Sequence, residues 1–198
     1  MKSAAAALVA LALLAPVIAA ETDPNWLRSW AEAQKSRPQT LSSVGRIAPE
    51  TEPGLPLVVH GRVFEPDGRT PAAGVVVHAY HRDANGFDFG PDDSTTATWR
   101  LQGWVKTDDA GRFEFTTIRP EPDGRGREGA HIHFTVESAT YGRQWAPTLF
   151  FDGDAKLTRD MRKRSSAAGE FAWIRPVRQI DTTQHVDVQI RLEKAAQF

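Results

Sequence analysis

Cysteine is missing from this 198-residue chain, and several other features are scarce. Without thiols the chain can form no disulfide, no thiolate zinc site and no cysteine nucleophile. Its 24 Lys and Arg nearly balance its 25 Asp and Glu, which argues against nucleic acid or an anionic membrane as the main partner. There is also no G-x-S-x-G and no phosphate-binding loop, so the commonest nucleophile and nucleotide-binding functions are excluded.

A long apolar run occurs only at the start of the chain. Lys2 precedes an apolar stretch from Ala4 to Leu14, Pro16 interrupts it, and small residues follow up to Ala20. This pattern is typical of a cleaved secretory signal over residues 1–20, and the run is short for a membrane anchor. We therefore expect a periplasmic or secreted protein with no membrane span after cleavage. About 178 residues then remain, enough for one domain.

The segment that follows the signal has the features of a short helix and an arm. Asp23 can cap a helix whose first position is Pro24, and Trp26 and Trp30 recur at helical spacing. Several prolines and a glycine follow. We expect residues 21–56 to form a helix and an extended arm that lies on the domain rather than in its core.

Beyond residue 56 the apolar pattern changes to the alternation of β-strands. Gly, Pro and Asp turns separate short apolar segments, which predicts an all-β domain over 57–198, an antiparallel β-sandwich. The expected strands are 57–64, 73–81, 99–107, 112–118, 130–137, 147–151 and 185–192. Two long polar loops, 86–98 and 119–129, interrupt this pattern, and loops of that length often carry function.

Two histidines on one predicted strand are the strongest functional signal. His131 and His133 flank Ile132, and residues i and i+2 of a strand point to the same face. Because neutral imidazole is the commonest protein ligand for metals, this pair can supply half of a four-ligand site. His78 and His81 are three residues apart and should point to opposite faces, so they are poor joint ligands.

The order of several sequence blocks resembles that of the intradiol ring-cleavage dioxygenases, the catechol and protocatechuate dioxygenases. The resemblance covers about residues 57–160 and implies a transthyretin/prealbumin-like β-sandwich. Members of this family bind a non-haem ferric ion with two tyrosines and two histidines, and they cleave catechols between the hydroxyls with dioxygen. The blocks are Gly61-Arg62-Val63, Pro71-Ala72-Ala73-Gly74, Asp83-Ala84-Asn85-Gly86, Gly103-Trp104-Val105-Lys106, Thr117-Ile118-Arg119-Pro120 and Ala130-His131-Ile132-His133-Phe134.

The resemblance carries over to individual positions only in part. His131 and His133 match the family's two histidine ligands, whereas Asp88 and Asp123 stand at the positions of the two tyrosines. Aspartate is also a hard anionic oxygen ligand, so these two residues could complete the site. Glu128 stands where the family usually has an arginine that helps to hold the substrate.

The resemblance implies an exported metal enzyme that acts on a catechol-like aromatic or related polyhydroxylated small molecule, and it allows a homodimer. The implied cofactor is non-haem Fe3+, although two histidines and two carboxylates could equally hold Fe2+, Zn, Cu or Mn. Arg119, Arg125 and Arg127 are candidates for holding the substrate, with Arg127 and Arg119 assigned the catalytic role. Two alternatives stay open: a divergent member that performs hydrolysis or elimination, and a non-catalytic module that binds sugar, metal or another protein.

Overall fold

The part of the chain that the structure describes contains ten β-strands and two α-helices. The computed structural model describes residues 23–89, 96–124 and 126–198. The helices are α1 (Pro24–Gln34) and α2 (Arg159–Ala167), and a short 3-10 helix spans Gly169–Phe171. The strands are β1 (Val44–Arg46), β2 (Pro56–Phe64), β3 (Val76–His81), β4 (Leu101–Lys106), β5 (Arg112–Ile118), β6 (His131–Ser138), β7 (Gly142–Phe151), β8 (Ile174–Arg175), β9 (Val177–Ile180) and β10 (Thr183–Arg191). The prediction of a mostly β fold is confirmed.

Three features of the sequence fall wholly or partly outside the described residues. They are the proposed signal over residues 1–20, part of the loop 86–98, and Arg125. Within the described ranges no helix is long and apolar enough to cross a membrane.

The strands form two sheets of five, in the orders β1-β5-β2-β10-β9 and β4-β3-β6-β7-β8. We call these the first and the second sheet. The prediction of purely antiparallel pairing is wrong, because β1 lies parallel to β5, β10 to β2 and β8 to β7. Parallel strands are joined by long crossover connections rather than by hairpin turns. Turn residues in the sequence indicate hairpins, which join antiparallel strands, so they do not indicate these parallel pairs.

Two segments differ from what the sequence pattern predicts. Part of the predicted arm enters the structure, since Val44–Arg46 extends the first sheet and Ile47 and Ala48 are buried. Helix α2 was not expected. It begins after Thr158, whose hydroxyl accepts a hydrogen bond from Met161 N, and it presents few apolar residues, so hydrophobic periodicity gives little sign of it.

One hydrophobic cluster takes side chains from both sheets. Val59 and Phe113 belong to the first sheet, Ile132 and Phe134 to the second, and all four are buried. Along β2 and β5, buried and more exposed side chains alternate, so every second side chain enters this cluster. Gly61 makes room for the ring of Phe113, because a Cβ at Gly61 would lie 1.9 Å from Phe113 Cζ.

Helix α1 covers the face of the second sheet that is turned away from this cluster, which we call the outer face. Asp23 caps the helix, accepting a hydrogen bond from Asn25 N at 2.9 Å. Trp30 and Trp26 pack in an aromatic group with Tyr80 and other ring side chains of the outer face. The helix thus reaches the histidine strand through Tyr80, which binds Trp26 and stacks on His133.

Candidate metal centre

His131 and His133 lie at the start of β6 and point to the outer face, while Ile132 between them is fully buried in the core. The predicted shared face is therefore confirmed. Pairing of β3 with β6 sets Tyr80 opposite His133. The register between β6 and β7 shifts between Ile132 and Phe134, a β-bulge of the kind often found beside active sites.

The two imidazoles converge as metal ligands do. When two histidine nitrogens bind one ion at about 2.0–2.1 Å with a nitrogen–metal–nitrogen angle of about 90°, the nitrogens are about 2.9 Å apart. Each ring centre lies about 1.1 Å behind its nitrogen, so the two ring centres are about 4.5 Å apart. In the structure the Nε2 atoms of His131 and His133 are 2.9 Å apart, the ring centres 4.5 Å, and the ring planes meet at 88°. This pair fits two adjacent positions of one coordination sphere.

A second histidine pair shows that closeness alone does not produce this geometry. On the first sheet His60 Nε2 lies 3.0 Å from His185 Nδ1, but the ring centres are 5.3 Å apart and the planes differ by only 9°. Nitrogens that face each other along one line, as in a hydrogen bond, give about this separation of the ring centres. Glu114 Oε2 lies 3.1 Å from the other nitrogen of His60. These histidines bind each other and Glu114 rather than converge.

Hydrogen bonds orient each imidazole of the β6 pair. His131 Nδ1 donates to the Gly129 carbonyl at 2.7 Å, which leaves its Nε2 lone pair for a ligand. His133 Nδ1 lies 3.4 Å from the Thr148 hydroxyl, which can donate or accept and so is compatible with either tautomer. These contacts resemble the outer-shell bonds that hold metal-binding histidines in place.

Both histidines are kept neutral. The pKa of His133 is lowered to about 3, mainly by burial and in addition by the neighbouring His131 and Arg82. Burial also lowers the pKa of His131, with Arg82 acting in the same sense, while its bond to Gly129 O and the charges of Glu128 and Asp88 oppose the shift. Neutral imidazole is the form that binds metal, so the site needs no deprotonation at neutral pH.

The predicted oxygen ligands are held by arginines. Asp88 Oδ2 lies 3.1 Å from Arg82 Nε, and the buried Asp123 has an Oδ2 3.2 Å from Arg127 Nε. In the part of the chain that the structure describes, no three His, Cys, Asp or Glu side chains come close enough together to hold an ion. The histidine half of the site is thus assembled, whereas Asp88 and Asp123 are not gathered with it.

The two predicted catalytic arginines lie in different surroundings. The Arg119 guanidinium lies 3.8 Å from the centre of the Phe151 ring and donates to Gln184 Oε1 at 3.1 Å, so it is engaged away from the histidine pair. Burial lowers the pKa of Arg119. Arg127 is exposed and contacts Asp123 in the loop that leads to His131.

Neither tyrosine of the chain is placed as an obvious iron ligand. Tyr80 is buried in the aromatic group of the outer face, stacks on His133 at 4.9 Å between ring centres, and accepts a hydrogen bond from Trp26 Nε1 at 2.9 Å. Burial raises the pKa of Tyr80 well above its ordinary value, so the phenol stays protonated. Tyr141 lies in the turn after β6, at the end of the strand opposite to His131, where its hydroxyl interacts with the Glu65 carboxylate and its pKa is raised as a result.

Two charged residues beside the histidines were not predicted as site residues. Arg82 follows β3, and its NH1 lies 3.3 Å from Glu128 Oε2 while its Nε holds Asp88. Glu128 Oε2 is in turn 4.0 Å from His131 Nε2. No spacing in the sequence indicates Arg82, because its contact with Glu128 spans 46 residues. The sequence does show Glu128 three residues before His131.

Comparison with known proteins identifies similar chains. A family model described as dioxygenase matches residues 32–188. The chain is 36% identical over 132 residues to catechol 1,2-dioxygenase 1 of Acinetobacter lwoffii, covering 58% of this chain and 41% of that protein. It is 34% identical over 153 residues to 6-chlorohydroxyquinol 1,2-dioxygenase of Cupriavidus pinatubonensis, covering 68% and 52%. The chain thus spans about half the length of these curated relatives.

Solved structures show the same fold. The dioxygenase domain of a dioxygenase and carbohydrate-binding protein fusion from a Streptomyces species superposes with a TM-score of 0.56 at 23% identity, covering 80% of this chain and 94% of that one. The 3-chlorocatechol 1,2-dioxygenase of Rhodococcus opacus superposes with a TM-score of 0.57 at 17% identity, covering 82% and 75%.

Proposed function

The chain belongs to the intradiol ring-cleavage dioxygenase family, and we propose that it is an exported, iron-dependent dioxygenase acting on a catechol-like or related polyhydroxylated aromatic molecule. The observation that carries this proposal is the close approach of His131 and His133, with their Nε2 atoms 2.9 Å apart and their ring centres 4.5 Å apart. The hydrophobic cluster shared by the two sheets supports the finer assignment of a transthyretin-like sandwich. The apolar stretch over residues 1–20 supports export to the periplasm or beyond.

His131 and His133 would hold the iron through Nε2, and the orienting bonds to Gly129 and Thr148 would keep both rings in place. When bound, iron supplies the site for dioxygen and for a diol substrate, as Fe3+ by family membership, with Fe2+, Zn, Cu or Mn compatible with the same donors. Asp88 and Asp123 stay predicted oxygen ligands. To bind, each carboxylate would exchange its arginine, Arg82 or Arg127, for the ion.

The arginines of the loop that leads to His131 would hold the substrate. Arg127 fits this role because its guanidinium is exposed beside the buried Asp123. Arg119 is also proposed, although it is now engaged by Phe151 and Gln184, and Arg125 is proposed from the sequence alone. A guanidinium suits a deprotonated hydroxyl because its donors are fixed in a plane and its charge persists at all physiological pH values. A homodimer is proposed from family membership only.

Metal analysis together with isotopic oxygen tests the proposal. Purified protein is loaded with iron and dialysed, and catechol and hydroxyquinol are offered under 18O2. We expect about one iron per chain and a ring-opened dicarboxylic acid that carries two labelled oxygen atoms. His131→Ala and His133→Ala should each abolish stoichiometric iron binding, whereas the double variant His60→Ala/His185→Ala, which removes the other histidine pair, should keep it.

Each remaining outcome favours a different function. Stoichiometric metal without incorporation of labelled oxygen would refute the dioxygenase and support a hydrolase or lyase that uses the same metal. No stoichiometric binding of iron, zinc, copper or manganese would refute the metal site and support a non-catalytic binding module. Full iron binding in the double variant His131→Ala/His133→Ala would place the metal elsewhere.

A further inference from the structure

Among the residues that the structure describes, Glu128 is the carboxylate closest to the donor atoms of the histidine pair. Its Oε2 lies 4.0 Å from His131 Nε2, the same nitrogen that faces His133. Among the described residues it is the only acidic side chain with an oxygen within 4.0 Å of a nitrogen of either histidine, whereas Asp88 and Asp123 contact arginines. Glu128 is therefore the described carboxylate best placed to reach an ion bound by His131 Nε2.

A cation already lies beside these groups. The Arg82 side chain is only 16% exposed, and its guanidinium lies between Asp88 and Glu128 at 3.1 and 3.3 Å. Like charges placed this close repel, so the two carboxylates stay near each other because a positive charge separates them. A metal ion at the histidine pair can replace the guanidinium as the partner of one of these carboxylates.

Only a small movement would bring Glu128 into the coordination sphere. Adjacent ligand atoms around one ion are about 2.9 Å apart, so Glu128 Oε2 has to approach His131 Nε2 by about 1 Å from its present 4.0 Å. The side chain is 57% exposed and has rotatable bonds that allow this without a backbone shift. Asp123, by contrast, is 5% exposed at its side chain and tied to Arg127.

We propose that Glu128 is a ligand of the bound metal and that, with His131 and His133, it forms a set of two histidines and one carboxylate. This inference rests on the metal site of the proposed function. Such a set, with its other positions open, is typical of non-haem Fe(II) oxygenases and favours a divalent ion over Fe3+. Arg82 is a positioning residue that holds Glu128 beside the histidines until the ion binds.

Titration of the full chain with Co2+ tests the role of Glu128. Affinity is measured by calorimetry, and the visible d–d bands of Co2+ report its coordination. Glu128→Gln keeps the size of the side chain and a hydrogen-bond partner for Arg82 but removes the charged ligand. We expect it to weaken Co2+ binding at least tenfold and to change the d–d spectrum. The matched control is Glu121→Gln, which removes the same charge from an exposed position of the same loop and should leave both readouts unchanged.

The outcomes separate this inference from the proposed function. If His131→Ala abolishes Co2+ binding while Glu128→Gln binds Co2+ as Glu121→Gln does, the histidine site stands and Glu128 is not a ligand. If His131→Ala and His133→Ala both bind Co2+ normally, the metal site itself is refuted. Because Glu128 lies at the surface, its variant should unfold at the wild-type temperature, and circular dichroism checks that a weaker affinity is not a loss of folding.

Discussion

Acid should unfold this protein through histidines that are buried in their neutral form. His81 points into the core from β3, with its Nδ1 donating to the Arg82 carbonyl at 2.6 Å and its Nε2 2.7 Å from the Thr117 hydroxyl. His78 points to the outer face and stacks on Trp104 at 4.6 Å. Burial is the largest cause that lowers the pKa of each from 6.5 to about 4.

The sign and size of the effect follow from these values. Because the pKa of each histidine is lowered, the unfolded chain binds a proton below about pH 6.5, whereas the folded chain binds it only below about pH 4. The free energy of unfolding is therefore highest above pH 6.5 and falls as the pH drops from 6.5 to 4. At pH 4.5 most of this difference is expressed, which amounts to about 2 to 3 kcal/mol for each histidine. Two such residues cost about 5 kcal/mol, comparable to the whole stability of many domains.

Urea unfolding at pH 7.5 and 4.5 measures the effect, with a chelator present to remove bound metal. We expect the free energy of unfolding of the wild type to fall by at least about 5 kcal/mol between the two pH values. In His81→Asn this fall should be smaller by about 2 to 3 kcal/mol, even though the variant is less stable at pH 7.5. Val59→Ala, a core truncation without a titrating group, should keep the full difference. A wild type equally stable at both pH values would refute the reasoning.

Two further predictions concern colour and packing. Iron-loaded protein should lack the red-brown band of tyrosinate bound to iron, because Tyr80 is a buried phenol bound to Trp26; a strong visible band that disappears in Tyr80→Phe would contradict this. Gly61→Ala should lower the free energy of unfolding by about 3 kcal/mol or more, since its Cβ would overlap the Phe113 ring at 1.9 Å. Gly124→Ala, which has no neighbour closer than 3.7 Å, is the control, and equal denaturation midpoints for the two variants would refute the packing argument.

Local patterns in the sequence were sufficient for helix α1, for the strands β2 to β7 and β10, and for the histidine pair. The helix cap at Asp23 and the alternation along β2, β5 and β6 depend on residues near each other in the chain, and the structure contains these elements. That His131 and His133 share a face follows from the two-residue period of a strand alone. The spacing could not predict that their ring centres lie only 4.5 Å apart with the planes at 88°, as the contrasting pair on the first sheet shows.

Contacts between distant segments were decided only by the tertiary structure. The parallel pairs depend on where long connections return, the stacking of Tyr80 on His133 depends on the register of β3 against β6, and Arg82 meets Glu128 across 46 residues. A guanidinium pairs with whichever carboxylate the fold brings to it, because charge attraction has no sequence period. The sequence by itself therefore determined which strand carries the candidate ligands, whereas the packing of the second sheet decided which charged groups surround them.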